Sequence, residues 1–336
     1  MIRPRPARAL RPALAGLALA LVAGATSALT RAAEPVPLPA NSIGWDVELG
    51  SGAAIPVPAE TATPPDPNLP PLVVRIGVPW ASVEPERGAY RWEPLDALVD
   101  ASASGGYEVL LNPYGTNALY PTSGSAIGPA DAEALGAWTA CLREIAARYA
   151  SKVRFFQIGR FPDRPGAGTA GDYAFVFKKS AVAVRSAAPS ALVALGTIAS
   201  GSVEYAAAVY EEGVAPYADA LAASCDGSAS SKEDLKALSG VLLAHDPGAK
   251  LWITGVRLLL GNEGFGTLLR AYIEGIEREA ALVTFDDPPD GRGGPYHLAT
   301  MDRARRLFTP SYSPLVESGR GVRALSADGS PLAEAR

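Results

Sequence analysis

VRFFQIGRFPDRPGAGTAGDYAFVFKKSAVAVRSAAPSALVALG, residues Val153 to Gly196, holds one full structural period of the chain. Val153–Ile158 is a short, nearly continuous apolar run, and Leu192–Gly196 is another. Between them, Asp172–Ala187 carries its apolar residues at helical spacing. Strands that are apolar on both faces are those covered on both faces, as in parallel sheets with helical crossovers. The stretch therefore reads as a strand, a loop, a helix and a second parallel strand.

The same alternation extends in both directions. Strand-like runs stand at Leu72–Val78, Glu108–Asn112, Ala218–Ala223, Leu251–Thr254 and Ala281–Phe285, with a weaker one at Ser42–Leu49. Helical patterns fall at Leu95–Ser104, Ala130–Ala150, Val203–Glu212, Lys232–Ala244 and Thr267–Glu279. Eight strands alternating with helices predict a parallel (β/α)8 TIM barrel over residues 36–320. A doubly wound open sheet is the competing α/β architecture, but no GxGxxG or GxxxxGKS/T follows any strand. Residues 51–71 contain seven prolines and cannot form an ordinary helix, so an extended Pro-rich loop takes the place of the first barrel helix. Residues 321–336 show little periodicity and read as a poorly structured tail.

Composition narrows the function. The 336 residues are 48% hydrophobic and include 25 aromatics, which excludes a disordered chain. The net charge is −5, and residues 1–28 carry four arginines and no acid, which leaves −9 on the remainder. So acidic a body repels a phosphate backbone and argues against nucleic-acid binding. Two cysteines (Cys141, Cys225) and two histidines (His245, His297), with no CxxC or HExxH spacing, give no metal site, and no cofactor is indicated. Residues 1–28 read as a secretory signal peptide: Arg3 to Arg11 form a basic start, Ala13–Ala23 an apolar run, and small residues follow. The expectation is a secreted or periplasmic protein whose mature chain has no membrane span. An uncleaved anchor is the alternative, although the apolar run is short of the ~20 residues that a span needs.

VRIGVPWASVEPERGAYRWEPLDALVDASASGGYEVLLNPYG, Val74 to Gly115, resembles the second and third βα units of clan A glycoside hydrolases, family 39 and its β-xylosidase-like relatives above all. Arg148 to Gly196 resembles their fourth unit and HDPGAKLWITGV, His245 to Val256, their seventh. The resemblance implies that the fourth strand should end in Asn-Glu-Pro, with a general acid/base, and the seventh in Thr-Glu, with a nucleophile. The matching positions in this chain are Phe161 and Gly255. Retaining hydrolysis needs two carboxyl groups ~5–5.5 Å apart, and neither residue supplies one. The resemblance thus implies a pseudoenzyme that binds a carbohydrate in the former active-site cleft.

Other residues follow from the same resemblance. Arg75 matches an arginine that would support the nucleophile's charge, and Arg160 replaces the asparagine beside the acid. Two fixed positive charges could bind a carboxylate, which favours an acidic sugar. The plainer account pairs both arginines with Asp163, Asp226, Asp286 or Asp287. Those aspartates also support an active glycosidase with relocated carboxylates, since all four should lie on the C-terminal face of the barrel. Trp80 and Tyr114 could stack on a sugar ring, and Asn112 could line the pocket. Alternation counted from Gly255 turns Trp252 outward, towards the helices. Glu84 and Asp96 read as structural. A structural or protein-interaction module remains a third reading.

Overall fold

The computed structural model describes residues 42–52, 69–121, 131–225, 229–257 and 280–286, a few single positions such as Leu38 and Ile55, and three C-terminal strands. Eight strands close into one parallel barrel in sequential order. They are β1 (Ser42–Glu48), β2 (Leu72–Pro79), β3 (Glu108–Tyr114), β4 (Val153–Arg160), β5 (Leu192–Ile198), β6 (Ala220–Ala223), β7 (Lys250–Arg257) and β8 (Leu282–Asp286). Closure comes from β1 pairing with β8, with Ser42 opposite Leu282 and Asp46 opposite Asp286.

Helices occupy the connections. A single turn, α1 (Trp80–Val83), follows β2 and leads to α2 (Glu93–Ser104). Then come α3 (Ala132–Tyr149), α4 (Ala170–Ala187), α5 (Val203–Glu211) and α6 (Ala229–His245). Their starts are set by capping chemistry. Asp131 accepts from the backbone N–H of Glu133 and Ala134 at the head of α3. Thr169 and Asp172 form a reciprocal capping box at the head of α4. Trp138 on α3 donates from Nε1 to Ser180 Oγ on α4 at 2.8 Å, so the buried indole fixes the two helices against each other.

The apolar residues separate into two clusters. One joins strand residues such as Ile43, Trp45, Val47, Val74 and Ile76 to the inner faces of the helices. The other holds alternate strand residues, Val73, Leu110, Phe155, Ala222, Trp252 and Leu282 among them, and no helix residue. It fills the interior of the barrel. Trp252 is one of its largest members, with its ring edge-on to Phe155 at 6.4 Å between centroids. This corrects the outward orientation expected from simple alternation. The β7–β8 register shifts between Ile253 and Val256, so counting backwards from Gly255 crosses a bulge and inverts the face.

The C-terminal stretch also differs from expectation. Instead of a structureless tail, β9 (Val316–Ser318), β10 (Gly321–Leu325) and β11 (Pro331–Ala335) form an antiparallel sheet in the order β11-β10-β9. Neither Cys141 nor Cys225 forms a disulfide, and both are buried. No helix among the described residues is long and apolar enough to cross a membrane. The signal-like segment 1–28, most of the proline-rich stretch and nearly all of the helix expected at Thr267–Glu279 lie outside the described residues.

Candidate functional site at the barrel mouth

Inward-facing residues of β2 run Val73, Arg75, Gly77. Val73 belongs to the apolar interior, so Arg75 stands one layer above it, and its side chain is only 3% exposed. A guanidinium at that depth requires a full set of acceptors. Arg75 Nη1 lies 2.6 Å from Asp46 Oδ2 on β1, Nε 2.7 Å from Gln157 Oε1 on β4, and Nη2 2.7 Å from Asn112 Oδ1 on β3. Nη2 also reaches Thr197 Oγ1 on β5 at 3.3 Å. Gln157 Nε2 donates to Thr197 Oγ1 at 2.7 Å, and Thr197 and Thr254 share a hydrogen bond of 2.7 Å. Asn112 Nδ2 donates to the carbonyls of Gln157 and Gly159, each at 2.8 Å. One buried arginine thereby ties five strands into a polar layer at the floor of the mouth.

Asp46 balances that charge. Burial pushes its carboxyl up to about 6; Arg75 opposes the rise, and the neighbouring Asp286 on β8 adds to it. Two carboxylates on adjacent strands resist joint ionisation. Gly255 faces this pair. Its φ is +72°, and a Cβ there would lie 3.4 Å from Asp286 Oδ1 and 3.7 Å from Asp46 Oδ2. The bulge in β7 brings both Thr254 and Gly255 to the interior, since Thr254 already bonds Thr197.

Nearer the rim, Glu48 on β1 bridges three strands. It accepts from Tyr114 Oη on β3, and its Oε2 lies 2.9 Å from Arg160 Nη1 on β4. The carboxylate crosses β2 directly over Gly77, where a Cβ would meet Glu48 Oε2 at 2.4 Å. A side chain at position 77 would push the Glu48 carboxylate out of this bridging position. Arg160 also sits over the Tyr114 ring, 5.6 Å from its centroid. Burial, reinforced by the bond to Glu48, pushes the Tyr114 hydroxyl up to about 12.

Of the residues singled out in the sequence, Arg75, Asn112, Tyr114, Arg160 and Asp286 converge on the mouth with Gly255. Both arginines are paired, with Asp46 and Glu48; of the four aspartates expected, the two described, Asp163 and Asp286, form no ion pair with either. This removes the ground for preferring an acidic ligand, because neither guanidinium lacks a counterion. Asp163 is engaged elsewhere: its Oδ2 accepts from Ala199 N at 2.9 Å and Ser202 Oγ at 2.5 Å, stapling the β4 and β5 loops together. Trp80 is corrected as well. It is 1% exposed, stacks on Tyr120 at 5.1 Å, meets Trp138 at 5.5 Å and donates to Glu84, so no ring face is open to a ligand. Glu84 also accepts from Tyr120 Oη and Gly88 N, which is a structural role. Asp226 and Asp287 lie outside the described residues.

Phe161 follows β4 with φ +50°, a conformation that costs a bulky residue ~1–2 kcal/mol. Among the described residues it is alone in this respect, since every other positive φ belongs to a glycine. Asp46, Glu48, Gln157 and Thr197 are site residues that the sequence reading missed. A signal for the first two was present in SIGWDVE, whose Ser42, Gly44, Asp46 and Glu48 share one face and whose Ile43, Trp45 and Val47 share the other. In a barrel covered by helices the apolar face turns outward, which leaves the polar face for the interior.

No group of three or more His, Cys, Asp or Glu among the described residues is arranged to hold a metal ion. No protein-family model and no curated protein sequence matches the chain. Solved structures do match in fold. A family 39 glycoside hydrolase from the gut symbiont Bacteroides cellulosilyticus WH2 aligns with a TM-score of 0.63 at 15% identity, over 88% of this chain and 69% of that one. A glucosidase from Croceicoccus marinus aligns at 0.58 and 14% identity, over 89% of this chain and 73% of that one. A GH5_18 protein from Streptomyces cattleya, in complex with Manβ1-4GlcNAc, gives 0.50 and 18% identity, over 72% and 73% of the two chains. At such identities the likeness is one of fold. The chain is a (β/α)8 barrel, the fold that these structures share.

Proposed function

We propose that this barrel binds a neutral carbohydrate at its mouth without hydrolysing it. The observation that carries the reading is the commitment of the rim carboxylates. Glu48 is held by Arg160 and Tyr114, and Asp163 is held by the β5 loop. Phe161 and Gly255 stand where the family resemblance puts the acid and the nucleophile, and they offer neither a proton nor an attacking oxygen. Solved relatives in fold that hold an oligosaccharide support a carbohydrate as ligand. Neutral sugars are favoured because Arg75 and Arg160 are each already paired with a carboxylate, so an anion must displace Asp46 or Glu48 to reach either guanidinium.

Calorimetry against neutral and uronate-containing oligosaccharides tests the binding, and aryl β-glycoside reporters test the chemistry. Binding of neutral sugars with no turnover is the expected outcome. Tighter binding of uronates, or no binding in either class, would refute it.

Asp46 and Asp286 favour a second reading, an active hydrolase. They flank Gly255, and burial lifts Asp46 into the range of a general acid at mildly acidic pH. Turnover near pH 5 that Asp286→Asn abolishes would establish this reading over the first. The basic, then apolar, segment 1–28 further supports export to the periplasm or medium. N-terminal sequencing of the chain from its native host checks this, and an intact Met1 in the cytoplasm refutes it.

A further inference from the structure

We propose that Phe161 is the stacking platform on which the apolar face of a neutral pyranose ring rests. The proposal builds on the carbohydrate reading above and assigns the ligand a place. Three observations carry it.

First, Phe161 adopts a left-handed backbone at φ +50° that glycine would take freely, and it keeps a large ring there. Its conformation is fixed from both sides: its N–H donates to Thr197 O at 2.7 Å, and its carbonyl accepts from Arg164 N at 3.3 Å. Second, the ring is not used for packing. Phe161 is half-buried, belongs to neither apolar cluster, and is absent from the partly buried side chains that pack against the main one. Third, it directly follows Arg160, whose guanidinium joins Glu48 at the rim, so it stands at the C-terminal end of β4 where barrel ligands sit.

Arg164 completes the arrangement. Its guanidinium lies 4.2 Å from the centre of the Phe161 ring and covers one face. That contact steadies the ring. The opposite face suits the C–H side of a pyranose. A ring offered in this way selects cyclic sugars over linear polyols, because only a pyranose presents a flat patch of C–H groups.

The preference of φ +50° for glycine gives a test that separates binding from folding. Phe161→Gly and Phe161→Trp are compared with the parent by thermal unfolding and by calorimetry with cello-, xylo- and manno-oligosaccharides. The expected result for Phe161→Gly is an unchanged or raised melting temperature together with at least a tenfold loss of affinity. Phe161→Trp should stay within threefold of the parent. Unchanged affinity in Phe161→Gly would overturn the platform while leaving the carbohydrate reading intact. A melting temperature several degrees lower in Phe161→Gly would also overturn it, by showing the ring to be a packing element. If the parent binds none of the three oligosaccharide series, the carbohydrate reading fails and the platform with it.

Discussion

Replacing Arg75 by methionine keeps most of the aliphatic stem and deletes the guanidinium. Gln157 Oε1 and Asn112 Oδ1 each lose a donor, and Asp46 loses the cation 2.6 Å away that opposes its burial. Removing one partner of a buried ion pair costs about 3–5 kcal/mol. At roughly 2–4 °C per kcal/mol for a domain of this size, the melting temperature should fall by about 6–20 °C near pH 8.

The pH dependence adds a second, sharper check. The Asp46 carboxyl titrates at about 6 in the folded chain against a reference of 3.8. A carboxyl raised in this way favours the folded state fully below its unfolded value, and that advantage is lost as the pH climbs through the folded value. The amount is about 3 kcal/mol, because a tenfold change in proton affinity is worth ~1.4 kcal/mol. Without Arg75, only the hydrogen bond to Thr284 still opposes burial and Asp286, so the folded value rises further and the loss continues above pH 6. Thermal unfolding followed by circular dichroism at pH 5 and pH 8 measures both effects. The gap between parent and variant should be clearly wider at pH 8, while the orphaned amide oxygens keep a smaller gap at pH 5. A loss under ~1 kcal/mol at pH 8, or a gap that does not change with pH, would refute the reasoning.

Two further substitutions probe the frame around the mouth. Gly44→Ala should prevent accumulation of soluble folded chain, because its Cβ would lie 2.0 Å from the Val73 carbonyl oxygen in the β1–β2 pair; expression and solubility read this directly. Tyr173→Phe should cost about 1–3 kcal/mol in chemical denaturation. The buried hydroxyl donates to Ile158 O at 2.8 Å and accepts from Gly196 N at 2.5 Å, so its removal leaves a strand N–H unsatisfied between β4 and β5.

The barrel is legible in the sequence because its strands are buried on both faces, and runs such as Leu72–Val78 and Val153–Ile158 carry that burial as continuous apolar character. The family resemblance points to Arg75, and local spacing places Asn112 and Tyr114 at the C-terminal end of β3. What the sequence hides is whatever depends on bulges and on contacts across the barrel. Trp252 is misread because the β7 bulge breaks the period of two between it and Gly255. Trp80 is misread because a helical turn begins at that residue and swings the indole behind the barrel, against Tyr120 and Trp138. The partners of Arg75 and Arg160 come from β1, 29 and 112 residues away in the chain, and no short-range pattern announces them.

Glu48 makes the rim of the mouth sensitive to dissolved salt. Tyr114 and Arg160 share this one carboxylate, which lies over Gly77, so a molecule that takes either of these hydrogen bonds competes with Glu48 for it. An incoming carboxylate merely exchanges one partner of Arg160 for another, with little change in free energy at equilibrium. Glu48 is 35% exposed and Arg160 32%, so dissolved ions reach the pair and weaken it. Ionic strength therefore loosens this rim pair while leaving the buried Arg75 layer beneath largely unaffected.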